Sequence, residues 1–273
     1  MPAEKDLESI GDGWLLRGGP NGGYLASMAM HAMARAVPGR SPLAATVQFL
    51  SRPKVGEVAV SLRTLRAGRT HSTVQAELSQ EGSPRLLAVA TFAERGTFDE
   101  DDTGEDRAGE DGAREGGASA GFQHRSMPAV PDPEESVPLP LDRLTGSFER
   151  RLDRRAPSAE TVEFLQGVAS GPAQVGGWTR FADGTPLGAT TVPLMMDSWP
   201  PPPHRHFGFG GGVVSVDLTV HWRGRPGDGW HFVWFESTLL RHGYAEIDGL
   251  LWRPDGVLVA QSRQLARYTP PAG

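Results

Sequence analysis

Residues 24–37, YLASMAMHAMARAV, are apolar on nearly every side of a helix. A helix on a protein surface shows a polar stripe, so this segment predicts a helix that is buried all round. A second segment of this kind, LGATTVPLMMDSW, spans 187–199 and predicts a second buried helix. Each segment follows a Gly-Trp pair and a turn rich in glycine and proline, and each stops at a proline, which cannot continue a helix.

Strand-like stretches follow each helical segment, and they repeat in the two halves of the chain. LAATVQFLSRP (43–53) corresponds to VVSVDLTVHWRGRP (213–226), and later strands carry the matching turns LRAG (65–68) and LRHG (240–243). One buried helix wrapped by one antiparallel sheet is the hotdog architecture. The sequence therefore predicts an α+β fold, a double hotdog whose two antiparallel sheets each wrap a buried central helix and join into one layer.

An acidic stretch separates the two halves. Residues 98–140 are rich in Asp, Glu, Gly, Ala, Ser and Pro, and within them 99–115 hold nine acidic and two basic residues. Such a composition cannot bury enough apolar surface to offset its ordering entropy, so we expect a disordered linker between an N-terminal hotdog, 1–97, and a C-terminal one, 141–273. Because the linker carries the net negative charge, the folded halves are close to neutral, and no nucleic-acid partner is predicted.

Composition excludes several classes of protein. The chain has no cysteine, which rules out disulfides, thiolate zinc sites and a cysteine nucleophile, and we predict no metal and no cofactor. No apolar run is long enough to predict a membrane span. The N-terminus lacks the basic and apolar regions of a signal peptide, which favours a cytoplasmic protein. Exposed sheet edges favour a homo-oligomer.

One strand carries an unexpected charge. VVSVDLTVHW (213–222) alternates apolar and polar residues, as a strand does. Its polar face is expected to hold Ser215, Asp217, Thr219 and His221. Aspartate is disfavoured in strands, so Asp217 either faces solvent or belongs to a site.

Several motifs resemble the acyl-CoA thioesterase II family. The most specific are VDLTVHW (216–222), FEST (235–238) and DGVLVAQSRQ (255–264), with GGYLA (22–26) and FLSRP (49–53) as looser matches. The resemblance covers roughly 10–96 and 143–268. The acidic linker departs from the family pattern, as does the glycine inserted in WRGRP, which leaves the position of the following arginine in doubt.

The resemblance implies a double hotdog that hydrolyses acyl-CoA thioesters. Matching the family's catalytic aspartate, threonine and glutamine to these motifs gives Asp217, Thr238 and Gln264. These three side chains would converge on one water, with the aspartate as general base. In the internal repeat they correspond to Ala45, Arg63 and Phe92, so the polar set is confined to the C-terminal half.

The start of the first helix is a candidate for stabilising an oxyanion, since four N–H groups are unpaired there and the helix dipole favours negative charge. Asn21 is the expected N-cap, Gly22 and Gly23 allow close approach, and the N–H of Gly23 or Tyr24 is the expected donor. Two alternatives stay open: the glycines only permit a tight turn, or the second helix start near 186–188 supplies the donor.

Other functions remain possible at this point. A hydratase or dehydratase is disfavoured because no DxNxxH-like run is present. A non-catalytic acyl-binding or scaffolding protein, or a thioesterase acting on acyl-carrier protein, stays open. If CoA is the carrier, Arg52, Arg223 and Arg225 are candidates for binding its phosphates.

Overall fold

The computed structural model describes residues 4–94 and 122–270, which form one large antiparallel sheet with few helices. The strands are β1 (Glu4–Ile10), β2 (Leu15–Leu16), β3 (Gly19–Pro20), β4 (Arg40–Phe49), β5 (Gly56–Ala67), β6 (His71–Gln80), β7 (Ser83–Glu94), β8 (Val137–Pro138), β9 (Leu152–Ala156), β10 (Gln174–Phe181), β11 (Gly212–Ser215), β12 (Asp217–Trp222), β13 (His231–Glu236), β14 (Leu240–Arg241), β15 (Tyr244–Trp252) and β16 (Leu258–Thr269). The α-helices are α1 (Gly22–Arg35), α2 (Val192–Met195) and α3 (Pro203–Phe207), and short 3₁₀ turns occur at Asp12–Trp14, Leu141–Arg143, Phe148–Arg150, Ala159–Gln166 and Ala189–Thr191.

The two halves share a single sheet of fourteen strands in the order β1-β5-β6-β7-β4-β12-β16-β15-β13-β10-β9-β8, with β11 beside β16 and β14 beside β15. The halves meet where β4 pairs antiparallel with β12, in a register that places Asp217 opposite Gln48 and His221 opposite Ala44. The predicted joining of the halves into one antiparallel layer is therefore present.

Helix α1 begins and ends close to the prediction and lies against β4, β5, β6 and β7. Its side chains Ala26, Ala29, Met30, Ala32 and Met33 are fully buried. Asn21 caps its start, because the Asn21 Oδ1 accepts a hydrogen bond of 2.8 Å from the Tyr24 N–H. The apolar pattern of 24–37 thus predicted the helix and the burial of much of it, but the helix is not buried all round, because His31 and Arg35 are exposed.

The second predicted helix, 187–199, is much shorter than expected. A 3₁₀ turn at Ala189–Thr191 leads into the four residues of α2, and the chain then turns at Asp197 toward four consecutive prolines, 200–203. Prolines lack the N–H that would extend the helix. Helix α2 is held against α1, since the Leu194 N–H donates to the Ser27 Oγ at 3.2 Å.

The predicted linker lies only partly within the described residues. Residues 98–121 are outside them, whereas 122–140 pack on the C-terminal half. The Trp178 Nε1 donates to the Pro131 carbonyl at 2.8 Å, and Met127 and Val130 contact an aromatic cluster around Phe232 on the same sheet. The apolar residues in this stretch cover a face of the sheet, so residues 122–140 pack against the C-terminal half.

Candidate active site

A carboxylate lies at the start of helix α1. It belongs to Asp197, the residue at which the chain leaves α2, and its Oδ2 accepts hydrogen bonds from the Gly23 N–H at 2.9 Å and the Asn21 Nδ2 at 3.0 Å. The Asn21 Nδ2 also lies 3.0 Å from the Asp197 carbonyl. Unpaired N–H groups and the positive end of the helix dipole both favour an anion at this position.

Asp197 is held in an environment that resists its ionisation. The residue is partly buried, and burial raises the pKa of its carboxyl from the ordinary 3.8 to about 6, against the opposing effect of the hydrogen bonds from Gly23, Gln264, Asn21 and Gly22. An acid with this pKa is ionised at neutral pH yet basic enough to take a proton from water. Carboxylates tuned in this way are candidates for general bases.

Gln264 lies beside Asp197 and also contacts Ser215. Gln264, on β16, is 6% exposed, and its Nε2 lies 3.5 Å from the Asp197 Oδ1. The same Nε2 contacts the Oγ of Ser215, the last residue of β11. Asp197, Ser215 and Gln264 therefore bring a base, a hydroxyl and an amide together beside the first turn of α1.

The two glycines at the start of α1 let the Asp197 segment approach. A Cβ on Gly23 would lie 2.6 Å from the Pro193 carbonyl oxygen, and one on Gly22 would lie 3.1 Å from the ring of Phe49. In this structure the Gly23 N–H donates to Asp197 and the Tyr24 N–H donates to the Asn21 cap. The N–H of Tyr24, one of the two donors expected from the sequence, is thus already used by the cap.

Asp217 does not lie with Gln264, because a β-bulge at Val216 reverses the faces of the strand. Ser215 pairs with Ala266, whereas Thr219 pairs with Arg263, so the register shifts by one residue between β11 and β12. Ser215 consequently faces inward, where it contacts Gln264, and Asp217 faces outward. The Asp217 Oδ1 accepts a 3.0 Å hydrogen bond from the N–H of Leu265, a residue whose side chain is on the outer face.

Thr238 also lies on the outer face of the sheet. Its Oγ and N–H both donate to the carboxylate of Glu246, at 2.6 and 2.7 Å. Glu246 pairs with the outward-facing Leu265, whereas Gln264 points inward. Of the three residues expected to share one water, Gln264 lies beside Asp197, whereas Asp217 and Thr238 have their hydrogen-bond partners on the outer face of the sheet.

Asp197 and Ser215 were missed from the sequence. The available signal was that Asp197 is the one charged residue in the apolar segment 187–199, where a carboxylate needs buried partners. For Ser215 no signal was available, because the bulge that turns it inward leaves the alternating pattern of 213–222 unbroken.

The arginines predicted to bind CoA phosphates divide between the two ends of the sheet. Arg52 follows β4 at the end where Phe49 contacts Gly22, so it lies on the side of the site and is exposed. Arg223 and Arg225 follow the opposite end of β12, which runs antiparallel to β4, and the Arg223 Nε donates to the Gln261 Oε1 at 2.9 Å. Of these three arginines, only Arg52 is placed where it could bind the phosphates of a CoA held at the candidate site.

Among residues 4–94 and 122–270, no cluster of three His, Asp or Glu side chains is arranged to hold a metal ion. Within the same ranges no helix is both long and apolar enough to cross a membrane.

Solved structures with the same fold define the class of protein. A conserved protein of unknown function with a hot dog fold from Alicyclobacillus acidocaldarius aligns with a TM-score of 0.81 at 22% identity, over 98% of this chain and 94% of that one. The tesB protein of Mycobacterium avium subs paratuberculosis gives 0.72 at 22%, over 97% and 96%. The acyl-CoA thioesterase II TesB2 of Mycobacterium marinum gives 0.65 at 20%, over 92% and 90%. The protein has a hotdog fold.

Sequence profiles then give the family. The profile of the acyl-CoA thioesterase N-terminal domain matches residues 10–93, and that of the acyl-CoA thioesterase C-terminal domain matches residues 124–268. The chain belongs to the acyl-CoA thioesterase family, which confirms the resemblance drawn from the motifs. No curated protein sequence matches it.

Proposed function

We propose that this protein is an acyl-CoA thioesterase in which Asp197, Ser215 and Gln264 activate a water molecule. The observation that carries the proposal is the carboxylate of Asp197, with its pKa raised to about 6, beside a hydroxyl and an amide at the start of α1. Family membership supports the reaction class. Without a cysteine in the chain, thiolate attack on the thioester is excluded.

The reaction follows from the chemistry of the three groups. Asp197 takes a proton from water, while the Ser215 hydroxyl and the Gln264 amide fix the direction of its lone pair, because both groups donate and accept hydrogen bonds. The water oxygen bonds to the thioester carbon and the carbonyl oxygen becomes an oxyanion. When this intermediate collapses, the C–S bond breaks and the departing CoA thiolate receives the proton from Asp197.

The oxyanion is stabilised by the backbone of α1. In the free protein the Gly23 N–H donates to the ionised Asp197 at 2.9 Å. Once Asp197 has taken the proton from water, its carboxylate no longer needs that donor, and the N–H can turn to the new negative charge on the substrate. The predicted role of Gly22 and Gly23 is therefore retained, while Tyr24 acts only through the cap.

We also propose how the chain divides into two hotdog units. Each half is a hotdog unit, with α1 and the 3₁₀–α2 segment as their central helices, and the C-terminal unit begins near residue 122 because 122–140 pack on it. The C-terminal unit supplies the three side chains and the N-terminal unit supplies the helix start. We also propose that the exposed sheet edges associate into a homo-oligomer.

Release of free CoA tests the proposal. The wild-type protein is mixed with short, medium and long acyl-CoAs, and separately with the same acyl groups on a carrier protein. Turnover of CoA esters supports the proposed function, whereas turnover of carrier-protein esters alone supports the second thioesterase alternative. A folded protein that binds acyl-CoA but releases no CoA would support the non-catalytic acyl-binding alternative.

A single turnover in ¹⁸O-water tests the mechanism. Direct attack by water places the label in the acid during the first turnover. If Asp197 itself attacked the carbonyl and formed an anhydride, opening of that anhydride at the carboxylate carbon would leave the first product unlabelled and put the label on the enzyme.

A further inference from the structure

An arginine lies within the apolar interior of the C-terminal half. The inward-facing positions of β9 are Leu152, Arg154 and Ala156, and the Arg154 side chain is 1% exposed. A charged group surrounded by apolar ones is unfavourable unless it is paired and hydrogen-bonded. Packing alone therefore does not explain why an arginine is buried at this position.

The guanidinium of Arg154 has two specific partners. Its Nη2 contacts the carboxylate of Glu149, which is itself 8% exposed, and its Nη1 donates to the carbonyl of Ser198 at 2.6 Å. The ring of Phe148 lies 5.9 Å from the guanidinium carbon. Glu149 thus neutralises the charge, while the second donor is directed at a backbone group.

That backbone group is next to the candidate base. Ser198 follows Asp197 directly, and α2 has ended, so neither carbonyl has a helical partner. The Asp197 carbonyl accepts from the Asn21 Nδ2 at 3.0 Å, and the Ser198 carbonyl accepts from Arg154. Two consecutive peptide groups are therefore each held by a hydrogen bond, one from the cap of α1 and one from β9.

The same strands hold the next side chain. The Trp199 Nε1 donates to the Thr179 Oγ at 2.8 Å, and Thr179 pairs with Arg154 between β10 and β9. The segment that carries Asp197 is consequently tied to β9 and β10 at two successive residues. A shift of this segment would move the Asp197 carboxylate relative to the Gly23 N–H.

We infer that Arg154 is a positioning residue for Asp197, with Glu149 holding the guanidinium in place. Arg154 contacts neither the carboxylate nor the proposed water site. It fixes the position of the backbone from which the carboxylate projects. The inference rests on the proposed function for its kinetic consequence, while its structural consequence can be measured without substrate.

The test removes both charges at once, so that no unpaired charge is left buried. In the double variant Arg154→Met with Glu149→Gln, we expect kcat on acyl-CoA to fall at least about tenfold with KM changed less than about threefold. We also expect the titration midpoint of Asp197, followed by ¹³C NMR of labelled aspartate, to rise, since weaker hydrogen bonds to the carboxylate favour its protonated form. Arg154→Lys, which keeps one donor, should give intermediate values.

The sheet supplies a matched control. Arg180 and Asp153 form a 3.0 Å ion pair between β10 and β9, with side chains 42% and 43% exposed. Arg180→Met with Asp153→Asn removes an exposed arginine–aspartate pair from β9 and β10, one that does not hold the Asp197 segment, and should leave both kcat and the Asp197 midpoint unchanged.

An unchanged Asp197 midpoint in the folded double variant overturns the inference, whatever happens to kcat. If that variant does not fold, the midpoint in Arg154→Lys decides in the same way. If the wild type hydrolyses no thioester, the proposed function fails, but a raised midpoint would still support the positioning role.

Discussion

Replacing Asp197 with asparagine should make the protein relatively more stable as the pH rises. The folded protein keeps the Asp197 proton up to about pH 6, whereas the unfolded chain releases it near the ordinary pKa of 3.8. The wild type therefore loses stability as the pH rises through this window, and an asparagine, which does not titrate, does not. The shift corresponds to at most about 3 kcal/mol at pH 8, because the residual solvent contact of Asp197 screens part of it.

The assay is urea unfolding of both proteins at several pH values between 5 and 8, followed by tryptophan fluorescence. The stability of Asp197→Asn relative to wild type should increase by about 1.4 kcal/mol from pH 5 to pH 8. With a urea slope of about 3 kcal/mol/M, this difference moves the midpoint by about 0.5 M. Taking the difference cancels the other titrating groups and any constant effect of the amide. A difference that stays constant or shrinks with pH would refute the raised pKa, and with it the case for Asp197 as a tuned base.

Three other substitutions test the surroundings of the site and the fold. Burial lowers the pKa of His231 from the ordinary 6.5 to about 4, so the folded protein loses stability as the pH falls below 6.5. In the same unfolding assay, the wild type should lose about 2 kcal/mol relative to His231→Gln between pH 7 and pH 5. Asn21→Ala should lower the free energy of unfolding by about 1 to 2 kcal/mol through loss of the α1 cap. Asn21→Asp keeps the cap acceptor but places a second carboxylate against Asp197, so it should also be less stable than wild type at neutral pH. Gly23→Ala forces a Cβ to within 2.6 Å of the Pro193 carbonyl oxygen and should lower the free energy of unfolding by about 1 to 3 kcal/mol, while Gly11→Ala, with nothing within 4 Å, should have little effect. A stable, active Gly23→Ala protein would contradict the close packing of Asp197 on α1.

The parts of the fold that local patterns determine could be predicted from the sequence. The all-round apolar character of 24–37 predicted α1, and Asn21 before two glycines predicted its cap. The second helix was overestimated because its apolar pattern does not show that the chain turns at Asp197, where the carboxylate is held by the start of α1.

The candidate site depended on a feature that the sequence does not display. Alternation predicts one face for Ser215 and Asp217, but the bulge at Val216 turns the first inward and the second outward. Gln264 was named from the family resemblance, and its regular strand keeps its side chain on the inner face. Asp197 could not be predicted from a local pattern, because its contact with the start of α1 joins residues from the two halves of the chain.

The central claim is that Asp197 is the base, and the most direct test compares two aspartates in one assay. Free CoA release is measured for wild type, Asp197→Asn and Asp217→Asn, since asparagine at 217 can still accept from the Leu265 N–H. We expect Asp197→Asn to lower kcat by about 10² to 10⁴, the scale of lost acid–base catalysis, and Asp217→Asn to stay within a few-fold of wild type. Loss of turnover in Asp217→Asn, with turnover retained in Asp197→Asn, would contradict the account.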